Sequence, residues 1–422
     1  MRHDLERKVV CVIGLGYVGL PLAEAFATRL EVIGFDIDGS KIIELNQSND
    51  KQNLTFTNNP RELLKADFIL ICVPTPVTKS KEPDLSYIVK AAKTIGQNTK
   101  KGAIVILEST VYPGVTEGIL KPIIERESGL KCGQDFKIAY SPERMNPGDG
   151  KHTLDKVTKV ISGMDEETTE LVAKLYLKVT PHIFKAKDIE TAEAAKVIEN
   201  IQRDLNIALM NELSLIFNKM GLSTEDVLKA AATKWNFSQY SPGLVGGHCI
   251  PVDPYYLVYK AKEFDYHPQV ILAGRAINDY MPKHVAEMAI SALNQVGKAI
   301  EGRRVLLMGL TYKEDVPDIR ESPISKIANE LVEYGIEVIG FDPMLRGADF
   351  MDAFGIKLLN DLGDIVKSKV DCVILTVAHS PFRKLKLSTL KQIQNSDPVL
   401  IDIRGIFSAE EARRAGFYYK TL

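Results

Sequence analysis

The chain has 422 residues, 45% of them hydrophobic, with 53 Lys+Arg against 55 Asp+Glu and a formal charge of -2. That length admits two or three domains with a substantial core, and the balanced charge gives no reason to expect nucleic acid or a membrane as the main partner. The cysteines Cys11, Cys72, Cys132, Cys249 and Cys372 are scattered, odd in number and never in a CxxC, which argues against a disulfide framework and for a reducing, cytoplasmic setting. The N-terminus passes from "MRHDLERK" straight into an apolar strand, so no signal peptide is expected, and no apolar run is long enough to span a bilayer.

In chain order, the first half alternates short β-branched runs with helical stretches: "KVVCVIG" (8–14), "EVIGFD" (31–36), "DFILICVP" (67–74), "AIVILEST" (103–110) and "FKIAYSPE" (136–143). Near-continuous apolar runs bounded by Gly, Pro or Asp are the pattern of buried parallel strands, so a doubly wound α/β domain is expected. "IETAEAAKVIENIQRDLNIALMNELSLIFNKMG" (189–221) follows without a proline and ends on Gly221, a helix C-cap; its length predicts a bridge between domains that also carries a dimer contact. Residues 222–298 read as mostly helical, interrupted around "SPGLVGGHCIPVDPYYL" (241–257). A second set of strands then appears, and "EVIGFD" recurs unchanged at 337–342. "RVLLMGLT", "DCVILTVA" and "VLIDIRG" echo the runs of the first half, either by duplication or because all such halves share these strings. The expected division is a dinucleotide-binding domain at 1–190, a helical middle at 191–300 and a second Rossmann-like domain at 301–422.

"GLGYVG" sets Gly14, Gly16 and Gly19 in G-x-G-x-x-G spacing, with Tyr17 and Val18 between, directly after a strand and opening a helix. Gly14 permits the tight turn, Gly16 lets the backbone approach a pyrophosphate, and Gly19 lets helix and strand pack closely. Asp36, 22 residues after Gly14, ends the next strand, where a carboxylate accepts from a ribose and repels a 2'-phosphate. NAD is therefore expected over NADP. Thr75 in "CVPTP", Thr110 in "ILEST" and Glu143 in "YSPER" stand at strand ends, where sites of such sheets gather.

Cys249 follows Gly246, Gly247 and His248, with Asp253 four residues on. Three readings stand: a zinc site lacking a partner motif, a structural turn, or a nucleophile activated near a helix N-terminus with the glycines leaving room for a substrate carbon. Asp253 before Pro254 also reads as a helix N-cap with proline at the first helical position. Lys196 and Asn200 share one face of the long helix, with Arg203 and Asp204 continuing it, and a merely solvated face has the same pattern.

Together these strings resemble the UDP-glucose/UDP-N-acetylhexosamine 6-dehydrogenase family over almost the whole chain. The resemblance runs through "GLGYVGLPLA", "VPTP", "EST…PG", "SPER…PG", "AEAAKVIEN…R…NIALMNE", "GLVGGHCIPVDPYYL", "AGRAIND", "GLTYKEDVPDIRESP" and "DIRG". "SPERMNPGDGKHTL", "QRDLNIALMNEL" and "KWNF" look most like the branch that oxidises UDP-N-acetyl-D-glucosamine or its galacto epimer for surface polysaccharides. The resemblance implies oxidation of a sugar C6 alcohol to a uronic acid with two NAD. Cys249 would form the covalent intermediate, Asp253 would be the base with Thr110 holding a water, Lys196 and Asn200 would stabilise oxyanions, and Glu143 would assist thioester hydrolysis. It further implies cofactor contacts from Gly14, Gly16, Tyr17, Val18, Gly19, Asp36, Thr75, Thr110 and Arg320. Substrate contacts would come from Glu143, Arg144, Lys196, Asn200, Arg203, Gly246, Gly247, Lys313 and Arg404, and Arg275 would reach a neighbouring subunit's substrate in a homodimer. No metal is expected. The alternatives are a UDP-N-acetyl-D-mannosamine or UDP-glucose 6-dehydrogenase, a two-electron hydroxyacid dehydrogenase, and a non-enzymatic NAD-binding protein.

Overall fold

The computed structural model describes residues 5–144, 153–345, 354–365 and 369–422, and the stretch of the "SPERMNPGDGKHTL" motif at 145–152 lies outside them. The chain forms two compact units: Met1–Asn200 with Val252–His267, and Ile201–Pro251 with Pro268–Leu422.

In the first unit the expected apolar runs become β1 (Val9–Ile13), β2 (Glu31–Phe35), β4 (Phe68–Ile71), β5 (Ile104–Leu107) and β6 (Lys137–Tyr140). Three further strands join them, β3 (Leu54–Thr57), β7 (Lys159–Gly163) and β8 (Ile183–Lys185), in the spatial order β3-β2-β1-β4-β5-β6-β7-β8. The first six strands have the Rossmann order, which reverses direction between β1 and β4 and opens a crevice at their carboxyl ends. The sheet departs from the purely parallel expectation at one place: β7 runs antiparallel to β6. Val10, Val12, Leu22, Phe26, Leu70 and Ile106 are wholly buried in the core.

The second unit repeats the plan with β9 (Arg304–Met308), β10 (Glu337–Phe341), β11 (Lys357–Leu359), β12 (Val370–Leu375), β13 (Gln394–Asp402) and β14 (Tyr418–Lys420), ordered β11-β10-β9-β12-β13-β14 and parallel throughout. The repeated string folds the same way twice. Gly14 and Gly309, at φ +89° and +93°, turn the chain after the first strand of each sheet. Each donates its N–H to the phenylalanine carbonyl ending the second strand, Phe35 or Phe341, at 2.9 Å. An L side chain disfavours such φ values, and a Cβ at either glycine would also meet the backbone of the fourth strand's end within 3 Å.

The predicted long helix forms as Ile189–Met220, 32 residues, and stops where Gly221 turns left-handed at φ +74°. The chain passes from the first unit to the second within it. Val197, Ile201 and Ala208 are buried along it, while Leu209 is 49% exposed. The middle stretch supplies helices Thr224–Ala231, Asp253–Lys262 and Gln269–Gln295. Among the described residues no helix is long and apolar enough to cross a membrane.

Candidate active site

At the carboxyl end of β1, a Cβ on Gly19 would lie 1.9 Å from the carbonyl of Gly14, so helix Gly19–Ala27 packs against the turn only because that residue has none. Gly16 has nothing within 4 Å of the same position and presents bare backbone to open space. No side chain caps the start of this helix, Leu20 turns its N–H back to the Gly16 carbonyl at 3.1 Å and Pro21 has none, so what the turn offers a ligand is the bare backbone around Gly16. Asp36 braces the loop: its Oδ2 accepts from the Leu15 N–H at 2.9 Å and from Lys41 Nζ at 3.1 Å. Tyr17, 57% exposed, stands at the rim, and Val18 is half-buried against the core.

Deeper in the same unit, the long helix brings Lys196 and Asn200 to one face, as expected. What they face is Asp253, which is 3% exposed and accepts from Asn200 Nδ2 at 2.6 Å. Asp253 is therefore not the helix cap that its place before Pro254 suggests: Val252 occupies the cap position, and no side chain bonds there. Burial pushes the Asp253 carboxyl up to about 6, against the opposing pull of the Lys196 ammonium and the Asn200 hydrogen bond. A carboxylate poised near neutrality suits proton abstraction. Tyr256 on the same helix donates its hydroxyl to the carbonyl of Thr75 at 2.8 Å, tying that helix to the loop after β4. One turn before Lys196, buried Glu193 accepts from the N–H groups of Gly114 and Thr116 at 2.6 and 2.9 Å and from the Thr116 hydroxyl at 2.6 Å. Burial pushes its carboxyl up to about 7.

Thr110 and Glu143 follow β5 and β6, so both sit at the carboxyl ends of neighbouring strands. The buried residues behind them were not singled out by sequence. Lys159, wholly buried at the start of β7, pairs with Glu108, and Tyr176 donates to the other oxygen of that carboxylate. A lysine opening an apolar strand reads as a surface residue, and its partner lies 51 positions away. Arg144, beside Glu143, is held by the carbonyl of Thr158 and by Glu199, both at 2.8 Å.

In the second unit, Cys249 is the one exposed cysteine; Cys11, Cys72 and Cys372 are buried and Cys132 is half-buried. Gly246 and Gly247 need to be glycine for a reason within the chain itself. A Cβ on Gly246 would lie 2.6 Å from Pro323 Cδ and 2.9 Å from the Glu321 carbonyl, and one on Gly247 would lie 2.7 Å from the Tyr312 ring. The space is taken by the chain itself. Gly247 also donates its N–H to the Glu321 carbonyl at 3.3 Å, and His248 stands 3.9 Å from Asp318. Arg320 grips that same Asp318 through Nε at 2.9 Å and Nη2 at 2.6 Å. The cysteine loop thus rests on the "TYKEDVPDIRESP" loop. Lys313 lies in that loop, its carbonyl accepting from the Thr311 hydroxyl at 2.9 Å. Arg404 pairs with Glu314 at 3.3 Å, and Arg203 is exposed on the long helix. Arg275, expected to reach across to a partner, is instead 2% exposed and binds Asp204 at 2.5 Å and Asp279 at 2.7 Å within its own unit. Among the described residues no three His, Cys, Asp or Glu side chains gather as a metal site.

The chain matches the UDP-glucose/GDP-mannose dehydrogenase family in its NAD binding domain at residues 8–51 and 47–180, its central domain at 190–280 and its UDP binding domain at 306–409. The chain belongs to this family. It is 47% identical over 416 residues to UDP-N-acetyl-D-glucosamine 6-dehydrogenase of Pseudomonas aeruginosa, covering 96% of this chain and 98% of that one. It is 42% identical over 421 residues to the enzyme of the same name from Salmonella typhi, covering 97% and 98%. The solved UDP-D-ManNAc dehydrogenase of Pyrococcus horikoshii superposes with a TM-score of 0.87 at 30% identity, covering 98% of both chains.

The residues of the first unit fit the family's cofactor, NAD. Gly16 leaves the cradle that a Cβ would fill, an uncapped helix start faces it, and Asp36 stands at the end of β2. Gly14, Gly16, Gly19 and the first turn of helix Gly19–Ala27 would hold the pyrophosphate, and Asp36 a ribose.

Proposed function

We infer that the protein oxidises the C6 alcohol of a UDP-N-acetylhexosamine, UDP-N-acetyl-D-glucosamine before its galacto epimer, to the uronic acid. The observation that carries this is Asp253: a buried carboxylate on a helix start, hydrogen-bonded to Asn200, flanked by Lys196, and four residues after an exposed thiol. NAD, when bound, would supply the hydride acceptor for the sugar carbon in each of two rounds. In the first, Asp253 takes the C6 hydroxyl proton, with Thr110 holding a water, and the product is the aldehyde. An aldehyde carries no anionic oxygen to expel a second hydride. The Cys249 sulfur therefore adds to that carbon, forming a C–S bond and a thiohemiacetal, which loses its hydride to become a thioester. Lys196 and Asn200 hold the oxygen as charge develops on it, a contribution of about 2.7–4 kcal/mol per donor. Water, assisted by Glu143, then cleaves the C–S bond.

In this reading residues 1–190 bind NAD, 191–300 bridge, and 301–422 bind UDP through Lys313 and Arg404. Tyr17, Val18, Thr75 and Arg320 line the cofactor, and Arg144, Arg203, Gly246 and Gly247 the sugar nucleotide. A cytoplasmic homodimer completes it, the setting supported by five cysteines that form no disulfide and the dimer by Leu209, Ile216 and Met220, exposed 49%, 46% and 62% at helical spacing. The test is NADH counted per sugar across UDP-N-acetylglucosamine, UDP-N-acetylgalactosamine, UDP-N-acetylmannosamine and UDP-glucose, with Cys249→Ala alongside. Two NADH per N-acetylglucosamine or N-acetylgalactosamine sugar are expected, and no uronic acid from the variant. One NADH with free aldehyde, or activity confined to UDP-glucose, overturns the reading.

A further inference from the structure

We propose that the buried Lys159–Glu108 pair is a positioning device for Glu143, one that sets the rate of thioester hydrolysis without serving the hydride transfers. This rests on the reading above that Cys249 carries an acyl group and that Glu143 assists its release.

The argument begins with donors. The Lys159 ammonium has three N–H groups and no contact with solvent, so each needs an acceptor. One goes to Glu108, one to the carbonyl of Ser141 at 3.2 Å and one to the carbonyl of Pro142 at 2.9 Å. The two carbonyls belong to the two residues immediately before Glu143. Glu108 is the residue after β5 and leads through Ser109 to Thr110. Thr110, which serves the first hydride transfer, has its own anchor there: the Ser109 hydroxyl donates to the Val73 carbonyl at 2.7 Å and the Ser109 N–H to the Ile71 carbonyl at 3.2 Å, neither of which needs Lys159. One ammonium thus clamps the ends of β5 and β6 together from a third strand, β7, whose antiparallel direction delivers its first residue to that end of the sheet.

The neighbouring positions complete the bracket. Ser141 donates its hydroxyl to the Val160 carbonyl at 3.0 Å. On the far side of Glu143, Arg144 donates to the Thr158 carbonyl at 2.8 Å. Residues 158–160 therefore hold both flanks of Glu143. Tyr176 supports the clamp from below, donating to Glu108 and placing its ring 5.2 Å from the Lys159 nitrogen.

Stability alone is a weak reason for such a pair, because a well-packed apolar pair of similar volume is often as stable or more so. An apolar side chain cannot, however, bind the two carbonyls that aim Glu143. The chemistry says which step feels this. In hydrolysis, water adds to the thioester carbon, the C–S bond breaks with its electron pair returning to sulfur, and a proton of the water leaves to a base. Neither hydride transfer involves that water.

The experiment compares Lys159→Met, the doubly neutral Lys159→Met/Glu108→Gln, which leaves no unpaired buried charge, and Glu143→Gln. Rapid mixing with NAD and UDP-N-acetylglucosamine reads the NADH burst, intact mass reads acylation of Cys249, and melting reads folding. All three variants are expected to give a burst of two NADH per subunit at near the wild-type rate. Steady turnover should then fall on the order of 100-fold, with acyl-enzyme accumulating, a loss typical of a reacting group misplaced by about 1 Å. If the folded double variant keeps wild-type steady turnover, or loses burst and turnover together, the positioning role is refuted while an acylated Glu143→Gln leaves the underlying reading intact. If Glu143→Gln accumulates no acyl-enzyme either, the hydrolysis reading itself fails.

Discussion

Substituting Gly247 separates two costs that the cysteine loop holds together. The residue sits at φ +86°, and an L side chain there costs about 1–2 kcal/mol. An added Cβ would also stand 2.7 Å from both Cδ2 and Cε2 of Tyr312, so the ring has to move. Forcing a methyl into a filled position costs roughly 1–3 kcal/mol more, and Gly247→Ala is expected to destabilise the protein by roughly 2–5 kcal/mol in all. Tyr312→Ala removes the obstacle but leaves the backbone conformation. In that background the same glycine substitution should cost only the backbone share, about 1–2 kcal/mol. Urea unfolding of the four proteins gives these differences, and the alkylation rate of Cys249, two residues on, reports the loop itself. Equal cost with and without the Tyr312 ring refutes the packing account. Full stability of Gly247→Ala with a raised KM for the sugar nucleotide restores substrate clearance as the reason for the glycine.

Arg275→Met leaves Asp204 buried without its cation and should cost about 3–5 kcal/mol in unfolding experiments; an unchanged stability with a raised sugar-nucleotide KM would instead make Arg275 a substrate contact. With the Asp253 carboxyl pushed up to about 6, the first hydride transfer should rise with pH about tenfold per unit below 6 and level off above it. Asp253→Asn should abolish that limb, and a pH-independent wild-type rate between 5 and 7 would contradict the base assignment. Burial raises Asp253 and Glu193, to about 6 and about 7, above their values of about 4 in an unfolded chain. Their contribution to stability is therefore fully present below pH about 4 and is lost as pH rises through 6–7. Calorimetry should show Glu193→Gln losing less stability than wild type between pH 5 and 8, and the opposite order counts against the buried carboxylate.

What could be read from sequence was what the backbone demands locally. The glycine spacing at 14, 16 and 19, the apolar runs of β1, β2, β4, β5 and β6, and the uninterrupted helix from 189 are patterns within one element. β3 and β8 are short and partly exposed, and so offer no apolar run. The side-chain partnerships were illegible for a different reason. Asn200 and Asp253 are 53 positions apart, Asp204 and Arg275 71, and Lys159 and Glu108 51. Read locally, each member has a plausible other use: Asp253 as a helix cap, Arg275 as a reaching cation, Lys159 as a solvated strand end. Only strand order and helix packing bring each to its partner.

The repeated "EVIGFD" sets one fold device in two different surroundings. In both units the aspartate after the second strand accepts the N–H of the residue following the turn glycine, Leu15 to Asp36 at 2.9 Å and Leu310 to Asp342 at 2.6 Å. The glycine within each string packs under a large side chain of the adjoining edge strand and under that same leucine, Phe56 with Leu15, Leu358 with Leu310. Glycine and aspartate are thus required by the sheet before any ligand is considered, so an aspartate at this position does not by itself indicate ribose binding. The neighbours make the difference. At the first site Asp36 meets the flexible Lys41 at 3.1 Å, beside a loop whose Gly16 faces open space. At the second, Asp342 is sealed against His379 at 3.0 Å, and His379 in turn accepts the Asp315 N–H at 2.9 Å. A carboxylate with its histidine fully buried cannot turn toward a ribose. It fixes the 311–315 loop that carries Lys313, so in the second unit this position is a brace for the loop beneath the cysteine.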